Sequence, residues 1–243
     1  MRQTNKNIKD FYEHLYGNDQ IINPAYKIYD ELRINIIERF LVRKNMRILV
    51  IGCGNRNDIK LFKKFSKPVL FDLSIKAVQS IDKDFKVINA DALSIPLADN
   101  SFDEIVCSEV LEHIPNVEMA ISEISRVLKP DGNLIVSTPN WISLFGLMRW
   151  LMELITNQMI SSDNQPYDDW KTIWKLKREL SPYFHIDIVK GVWYLPPLHF
   201  RGRGLPKSLT NFIYTLFSPF EKLFSNLVPF LGHLIILKCS KSS

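Results

Sequence analysis

Short apolar runs alternate with helical patterns along the chain from about residue 46 onward. The runs are rich in Val, Ile and Leu and nearly continuous, which is typical of strands buried on both faces of a parallel sheet. Five of them predict strands, at 47–51, 68–72, 86–90, 104–108 and 133–138. The alternation therefore predicts an α/β fold, a doubly wound sheet with helices on both faces.

Helical patterns lie between and before these runs. Apolar residues recur at helical spacing in "DIKLFKKF" (58–65) and "VEMAISEISRVL" (117–128), and the following "KPDG", with Pro130 and Gly132, predicts a helix stop. Upstream, "AYKIYDELRINIIERFLV" (25–42) predicts an amphipathic helix. We expect this helix to cover one face or edge of the sheet.

After residue 140 the regular alternation of strand and helix patterns ends. A long helical pattern at 141–155 is followed by two strands, at 185–192 and 233–240, that are far apart in sequence. The connection between these strands, about 40 residues, is long enough that it should carry helices or a function of its own. Because proline cannot donate the helical hydrogen bond, Pro219 is expected to begin a second helix rather than continue the first.

The chain is thus expected to have three parts. These are an N-terminal helical cap at 1–45, a core at 46–140, and a C-terminal part at 141–243 that completes the sheet and carries a helical lid at about 195–232.

Composition fits one sizeable core, or a core with a small appendage, because the 243 residues are 46% hydrophobic. The 31 basic and 26 acidic residues give a mildly positive charge that fits many soluble enzymes and does not indicate a nucleic-acid partner. Three cysteines without a Cys-x-x-Cys pair suit a reducing compartment and predict neither a disulfide nor a zinc site. With no secretory signal and no long uninterrupted apolar run, a cytoplasmic chain is expected.

The first predicted strand ends in two glycines, in "LVIGCGNRND" (49–58). Gly52 and Gly54 fill the first two positions of a dinucleotide-binding Gly-x-Gly-x-x-Gly motif, but the third falls on Asn57. No Gly-Lys-Ser/Thr follows, so a phosphate loop is disfavoured. On its own, the pair of glycines also fits a tight strand-to-helix turn that binds nothing.

Polar residues end the neighbouring strands. Asp72 closes the second strand, Asp91 follows the third, and Ser108 and Glu109 end the fourth. Because the carboxyl ends of parallel strands line the ligand crevice of an open α/β sheet, all four segments are expected to converge on one place.

At this point the chain resembles the class I S-adenosylmethionine-dependent methyltransferases, and more narrowly the group with a methyltransferase domain of the ubiquinone and menaquinone biosynthesis type. The resemblance covers about residues 46–140 and is carried by "ILVIGCGNR", "FDLS", "NADALSIPLADNSFDEIVCSEVLEHI" and "EISRVLKPDGNLIVSTPN". It implies a Rossmann-like, seven-stranded, mostly parallel sheet with an antiparallel last strand, which would account for the two late strands. It also implies S-adenosyl-L-methionine as the cofactor.

The resemblance assigns a set of residues to the cofactor. The glycines leave room for its methionine portion, the Asp72 carboxylate accepts from the ribose hydroxyls, and Asp91 accepts from the adenine amino group. Ser108 and Glu109 are expected beside the methionine and the transferable methyl. The complete set is Gly52, Cys53, Gly54, Asn55, Asp72, Leu73, Asp91, Ala92, Ser108 and Glu109.

Two positions depart from the family pattern. Val50 stands where the family commonly has an acidic residue, and Arg56 stands where it has a third glycine. Val50 removes an expected anchor for the methionine amine, whereas Arg56 either pairs with the methionine carboxylate or faces solvent at a helix start. Both departures also fit a catalytically silent partner subunit with this fold.

Methyl transfer from a sulfonium is an in-line displacement with a neutral leaving group, so alignment is the main requirement. His113 is the candidate base for a hydroxyl acceptor, and a structural, hydrogen-bonded histidine is the alternative. Tyr12 and Tyr16 either cap the cofactor or simply pack. No metal site is expected, since no His-x-x-x-His or Cys-x-x-Cys pair exists.

An NAD-dependent oxidoreductase is a rival with the same fold. It would use Asp72 and the Tyr-x-x-x-Lys pair of Tyr167 and Lys171, but the third glycine of its motif is missing.

The expected acceptor is a small or lipid-linked molecule, methylated on oxygen. We expect residues 199–232 to form an acceptor-side lid for a hydrophobic substrate, with Arg201, Arg203 and Lys207 supplying charge against an anionic membrane surface. The protein would then be peripheral on the inner face of the membrane. Packing on the sheet, or a dimer contact, is the alternative for the apolar residues of this segment.

Overall fold

The structure is a computed structural model that describes residues 2–16, 24–41, 45–54, 68–157, 165–195, 199–200 and 203–242. Its helices are α1 (Arg2–Leu15), α2 (Pro24–Phe40), α3 (Ile75–Ser80), α4 (Val117–Val127), α5 (Leu144–Thr156), α6 (Ile173–Leu180) and α7 (Lys207–Leu227). The helix predicted at 58–65, the site residue Asn55, and Arg56, Asn57 and Arg201 lie outside the described residues.

The described strands form a seven-stranded sheet and a separate two-stranded ribbon. The strands are β1 (Ile48–Ile51), β2 (Val69–Asp72), β3 (Lys86–Asn89), β4 (Phe102–Ser108), β5 (Leu128–Pro139), β6 (Phe184–Val192), β7 (His199–Phe200), β8 (Arg203–Gly204) and β9 (Leu234–Lys241). The sheet order is β3-β2-β1-β4-β5-β9-β6, and β7 pairs with β8. Strand β9 runs antiparallel to both of its neighbours, β5 and β6, whereas the other described pairs of this sheet are parallel. This confirms the predicted mostly parallel sheet with an antiparallel last strand.

The continuous apolar runs reflect a core on each face of the sheet. In β1, Leu49 and Ile51 belong to one buried cluster, and Ile48 and Val50 belong to the other. Helices α4 and α6 cover the first cluster, and α2 covers the second through residues such as Ile37. Every position of β1 is therefore buried, as the period of two residues requires of a strand covered on both faces.

Strand β5 begins earlier than predicted. Helix α4 ends at Val127, which confirms the predicted stop, but Leu128 already pairs with Phe102 and the register shifts before the next pair. Pro130 and Gly132 therefore lie within an irregular strand start rather than in a free turn. Proline and glycine are tolerated in strands at such bulges.

The prediction that Pro219 begins a second helix is wrong, because Pro219 lies inside α7, a single helix of 21 residues. Proline leaves the carbonyl four residues earlier without its amide donor. That carbonyl belongs to Thr215, and the Ser218 hydroxyl donates to it at 2.9 Å. The side chain before the proline thus replaces the missing hydrogen bond, and the helix persists.

Candidate functional site

The structure brings the predicted residues of four strands to one edge of the sheet. Strands β3, β2, β1 and β4 are neighbours and run parallel, so their carboxyl ends lie side by side. In register, Asp72 at the end of β2 lies beside Asn89, and Ser108 at the end of β4 lies beside Ser137 of β5. This edge, from β3 to β5, is called the crevice edge below.

The loop after β1 requires glycine for two reasons. Gly52 and Gly54 have φ angles of 68° and 50°, in the left-handed region that side chains disfavour. A Cβ on Gly52 would also collide with the Val110 side chain, and one on Gly54 would lie 2.7 Å from the Tyr16 hydroxyl oxygen. We expected these Cβ atoms to obstruct a ligand. The structure shows that they would already clash with neighbouring side chains of the protein.

Asp72 joins this loop to the turn after β2. Its buried carboxylate accepts the Gly54 amide on Oδ2 at 2.8 Å and the Ser74 amide on Oδ1 at 2.9 Å. Buried acceptors with charge-assisted partners are strongly held. The aspartate therefore holds the conformation of the glycine loop, a role the sequence did not suggest. The side chain of Cys53, inside the loop, is buried in the α2-side cluster.

Glu13 of α1 closes over the same turn. Its carboxylate accepts from the Ile75 amide at 2.7 Å, the Lys76 amide at 3.2 Å and the Ser74 hydroxyl at 3.0 Å, so it caps the start of α3. Burial alone would raise the pKa of Glu13, but these hydrogen bonds, with a smaller contribution from Lys9, outweigh it and lower the pKa. Sequence analysis missed this residue.

Helix α1 consequently spans the crevice edge. Besides Glu13 on the β2 turn, the hydroxyl of Tyr16, the residue after the helix, lies over Gly54, and the ring of Tyr12 lies 6.0 Å from the ring of His113 after β4. The rings of Tyr12 and Tyr16 stack on each other at 6.1 Å. Both tyrosines therefore line the space above the strand ends.

The end of β3 presents Asp91. Its side chain is exposed and its Oδ1 accepts the Leu93 amide at 2.9 Å, while the neighbouring Ala92 is buried. On the adjacent turn, the carbonyl of Leu73 accepts from the Asn89 side chain at 2.8 Å. These three predicted residues thus lie on neighbouring strand ends, as the parallel pairing requires.

The end of β4 is held by an arginine that sequence analysis missed. Arg33 of α2 is fully buried, donates from Nη1 to Ser108 Oγ at 2.8 Å and pairs with Asp30 at 3.0 Å. Ser108 Oγ also lies 2.7 Å from Ser137 Oγ, and the Glu109 amide donates to the Ser137 carbonyl at 2.9 Å. A signal was present, since Arg33 lies one turn before the buried Ile37, on the apolar stripe of α2.

His113 lies on the short 3-10 helix Leu111–His113 that follows β4. Its Nδ1 is 3.3 Å from the Tyr167 carbonyl oxygen and 4.0 Å from Asp168 Oδ1. Its Nε2 is 3.8 Å from Oε1 of the buried Glu112. The candidate base is thus placed beside two carboxylates.

Asp168 belongs to a buried ion pair. Arg149 of α5 donates from Nη1 to Asp168 Oδ2 at 2.7 Å, and both side chains are almost fully buried. The guanidinium carbon lies 4.8 Å from the Trp141 ring centroid and 4.4 Å from that of Trp170, so two aromatic faces enclose the cation. Sequence analysis missed both partners.

His233, just before β9, lies in an aromatic cluster next to this ion pair. Burial lowers the pKa of His233 to about 4, with Glu109 acting in the opposite direction and Arg149 acting in the same one. Among the described residues, the rings of Phe145, Trp170 and Trp193 have centroids 4.4, 5.2 and 5.6 Å from that of His233. This set with His233 is called the aromatic cluster below.

Helix α7 docks on this cluster through polar contacts. Trp193 has a left-handed backbone, with φ of 60°, and its amide and that of Tyr194 donate to the Glu221 carboxylate at 3.0 and 2.9 Å. The Trp193 indole also donates to the Tyr214 hydroxyl at 2.8 Å. Burial raises the pKa of Glu221 even though the two amides act to lower it.

The outward face of α7 is apolar. Its exposed large side chains include Leu209, Phe212, Leu216, Phe220, Leu223 and Leu227, called the apolar stripe of α7 below. Its buried positions include the polar residues Thr210, Glu221 and Ser225. The usual polarity of a surface helix is therefore inverted.

Helix α5 shows the same inversion. It buries Arg149 while exposing Leu144, Leu147, Met148, Trp150, Leu151, Leu154 and Ile155. Within the described ranges, no helix is long and apolar enough to cross a membrane. Nor does any group of three or more His, Cys, Asp or Glu residues there have an arrangement that could hold a metal ion.

Comparisons with known proteins agree with this geometry. A family model described as a methyltransferase domain matches residues 49–136. An uncharacterized protein of Methanocaldococcus jannaschii is 26% identical over 97% of this chain and 99% of its own length. The ubiquinone/menaquinone biosynthesis C-methyltransferase of Hydrogenovibrio crunogenus is 30% identical over 54% of this chain, which spans 58% of that enzyme.

Solved structures show the same fold. The crystal structure of a SAM-dependent methyltransferase from Archaeoglobus fulgidus superposes with a TM-score of 0.61, covering 90% of this chain and 95% of that one at 17% identity.

Proposed function

Because the chain belongs to the class I S-adenosylmethionine-dependent methyltransferases, we propose that it methylates an oxygen of a small or lipid-linked acceptor. Its cofactor is S-adenosyl-L-methionine, which supplies a methyl group on a sulfonium whose leaving thioether is neutral. The residues of the chain then have to bind and align the reactants and take up the proton of the acceptor. The observation that carries the proposal is His113, placed after β4 with carboxylates at both ring nitrogens.

The residues at the crevice edge fit the cofactor. The glycine loop presents backbone rather than side chains, and Asp72 lies at the end of the neighbouring strand. A carboxylate can accept about four hydrogen bonds, so the amides of Gly54 and Ser74 do not by themselves preclude acceptance from ribose hydroxyls. Asp91, exposed at the end of β3, suits the adenine amino group, and Ser108 and Glu109 suit the methionine end.

Val50 does not leave a gap at the position where the family commonly has an acid. Its side chain is buried among the residues that α2 covers, one of which is Ile37. Packing therefore accounts for valine at this position. Its presence is compatible with an active enzyme and with a silent one, and does not distinguish them.

The NAD-dependent alternative is disfavoured by the family match. Lys171, which would serve that chemistry, is buried and paired with Asp169 at 2.7 Å and Glu179 at 3.2 Å. A structural ion-pair network explains this lysine.

The cofactor assignment is tested by calorimetry with S-adenosylhomocysteine. Removing a buried acceptor costs roughly 1–3 kcal/mol, so Asp72→Ala is expected to weaken binding about tenfold to a hundredfold. Asp84→Ala is the matched control, because Asp84 is exposed and precedes β3 at the opposite edge of the sheet. Equal affinities in all three proteins would rule out the ribose assignment.

The site of methylation is tested with radiolabelled S-adenosylmethionine and extracts of polar lipids or quinone precursors. Hot hydriodic acid cleaves methyl ethers and esters to iodomethane but leaves carbon-bound methyl groups intact. Label released as iodomethane is the expected result. Label retained in the product would instead indicate C-methylation, which is the reaction named for the Hydrogenovibrio relative, and binding of cofactor with no labelled product would indicate a silent subunit.

We propose in addition that α7 rests on an anionic lipid surface, where a lipid-linked acceptor would be reached. The support is its inverted polarity, because an interfacial helix places its apolar face among the lipids. Arg201 and Arg203 precede the helix in sequence and Lys207 begins it, and each charge near such a surface contributes about 1 kcal/mol.

Vesicle flotation tests the lipid contact. Leu216 is 66% exposed, so Leu216→Glu should abolish binding to anionic vesicles without disturbing the fold, whereas Thr215→Glu, on the exposed polar side, should not. Phe217 is less suitable because its ring packs half-buried against Phe220 and Phe224. Absence of binding by the wild type at low salt would exclude the lipid surface and leave a protein partner or a second copy.

A further inference from the structure

We propose that Asp168 and Arg149 are positioning residues that hold His113 in the tautomer and orientation needed to take the proton of the acceptor. The inference rests on the proposed O-methylation. The three residues come from separate parts of the chain: the turn after β4, the segment before α6, and α5.

The neighbours of His113 Nδ1 determine where its proton lies. The Tyr167 carbonyl oxygen, 3.3 Å away, can only accept a hydrogen bond, and so can the ionised Asp168 carboxylate, 4.0 Å away. Nδ1 must therefore be the donor in the neutral ring, which leaves the lone pair on Nε2. Nε2 is the nitrogen that can accept a proton.

Methyl transfer and proton transfer together form and break the following bonds. The acceptor oxygen forms a bond to the methyl carbon, the carbon–sulfur bond breaks with its electron pair left on sulfur, and the acceptor proton moves to Nε2 of His113. The resulting imidazolium lies between Glu112, 3.8 Å from Nε2, and Asp168. Both carboxylates stabilise the charge that forms.

The two carboxylate oxygens of Asp168 have different surroundings. Oδ2 pairs with Arg149 at 2.7 Å, whereas Oδ1 receives no hydrogen bond from any described residue although the side chain is only 3% exposed. A buried acceptor normally has a donor. The nearest ring nitrogen is His113 Nδ1, and a shift of about 1 Å would bring the pair to hydrogen-bond distance. Catalytic hydrogen bonds are often long before the substrate binds.

Arg149 fixes the direction of that carboxylate. Its guanidinium lies between the rings of Trp141 and Trp170 and also donates from Nε to Glu153 at 2.8 Å. A cation held on two sides cannot follow a rotating carboxylate, so Asp168 keeps Oδ1 directed at His113. The aromatic enclosure of Arg149 thus acts on the base through Asp168.

Three described elements contribute an identified group beside His113. Its own turn supplies Glu112, the segment before α6 supplies Asp168 and the Tyr167 carbonyl, and α1 supplies the Tyr12 ring. Removing the charge of Asp168 should therefore make the protonated ring less stable, and Glu112 remains as the other anion.

The test is an NMR titration of His113 on the full chain, with and without S-adenosylhomocysteine. The His113 signals are assigned with His113→Gln. In the wild type, nitrogen shifts above the titration midpoint should report the Nδ1–H tautomer. In Asp168→Asn the midpoint should move to lower pH by about one unit, since an opposite charge within about 4–6 Å shifts a titration by this order.

Asp169→Asn is the matched control, because Asp169 pairs with Lys171 and Lys175 instead. Its midpoint should equal that of the wild type. In the labelled-methyl assay, Asp168→Asn should transfer at least about tenfold more slowly at unchanged S-adenosylhomocysteine affinity.

Two results would overturn the inference: an Nε2–H tautomer in the wild type, or equal midpoints in both aspartate variants. The wild-type tautomer decides the matter even if Asp168→Asn does not fold. Failure of the proposed function has a separate signature, namely no binding of S-adenosylhomocysteine by the wild type.

Discussion

His233 should make the protein less stable as the pH is lowered from 7 towards 5. Its pKa falls from the ordinary 6.5 to about 4 on burial, so the folded state binds this proton less readily than the unfolded chain. The stability due to neutral His233 is therefore complete above pH 6.5 and is lost as the pH falls towards 4. At 1.36 kcal/mol per pH unit the whole effect is about 3 kcal/mol, of which roughly 2 kcal/mol falls between pH 7 and pH 5.

Urea unfolding at pH 7, 6 and 5 measures this loss. His233→Phe keeps an aromatic ring among Phe145, Trp170 and Trp193 but cannot take up a proton, so its free energy of unfolding should vary less over this range. His185→Gln is the control, since His185 is exposed.

The prediction is tested by the difference between the wild type and His233→Phe in how the free energy of unfolding changes with pH. The change in either protein alone does not test it. Glu221 acts in the opposite direction, because its raised pKa makes the fold gain stability as the pH falls. Carboxylates with lowered pKa values, such as Glu13 and Glu123, lose their contribution only near and below pH 4.5. If His233→Phe and the wild type lost equal stability from pH 7 to pH 5, the argument from burial would be refuted.

Two further substitutions test other parts of the structure. Gly54→Val should weaken S-adenosylhomocysteine binding by more than about tenfold in equilibrium dialysis, because its Cβ meets the Tyr16 hydroxyl at a strained φ; normal binding would separate the loop from the site. Glu221→Ala should lower the free energy of unfolding by about 1–3 kcal/mol, because the Trp193 amide loses its buried acceptor, whereas the exposed Lys222→Ala should change it by less than about 0.5 kcal/mol; equal effects in urea melts would contradict the docking role.

Local patterns predicted the strands well for a physical reason. A strand buried on both faces, such as Ile48–Ile51, must be apolar at every position, and the sequence displays that directly. The course of α7 past Pro219 was not predictable in the same way, because it depends on the Ser218 hydroxyl reaching a particular carbonyl.

Some residues of the candidate site could likewise be predicted from local sequence patterns, and others could not. Residues at strand ends, such as Asp72 and Ser108, follow from the strand pattern, although their roles stay predictions. Arg33 and Arg149 could have been flagged, since each interrupts the buried side of a helix. The pairing of Asp168 with His113 could not, because no local rule joins two positions that only the folded sheet brings within 4.0 Å.

The position of α1 has a consequence for the rate at which ligands exchange. Tyr12, Glu13 and Tyr16 lie across the strand ends, and Glu13 holds the helix there by three hydrogen bonds to the start of α3. Helices that are held at the surface of a fold by hydrogen bonds to a neighbouring turn are among the parts of a protein that open most easily. Cofactor turnover would then be timed by the opening of α1, and the spent cofactor could leave no faster than this helix detaches.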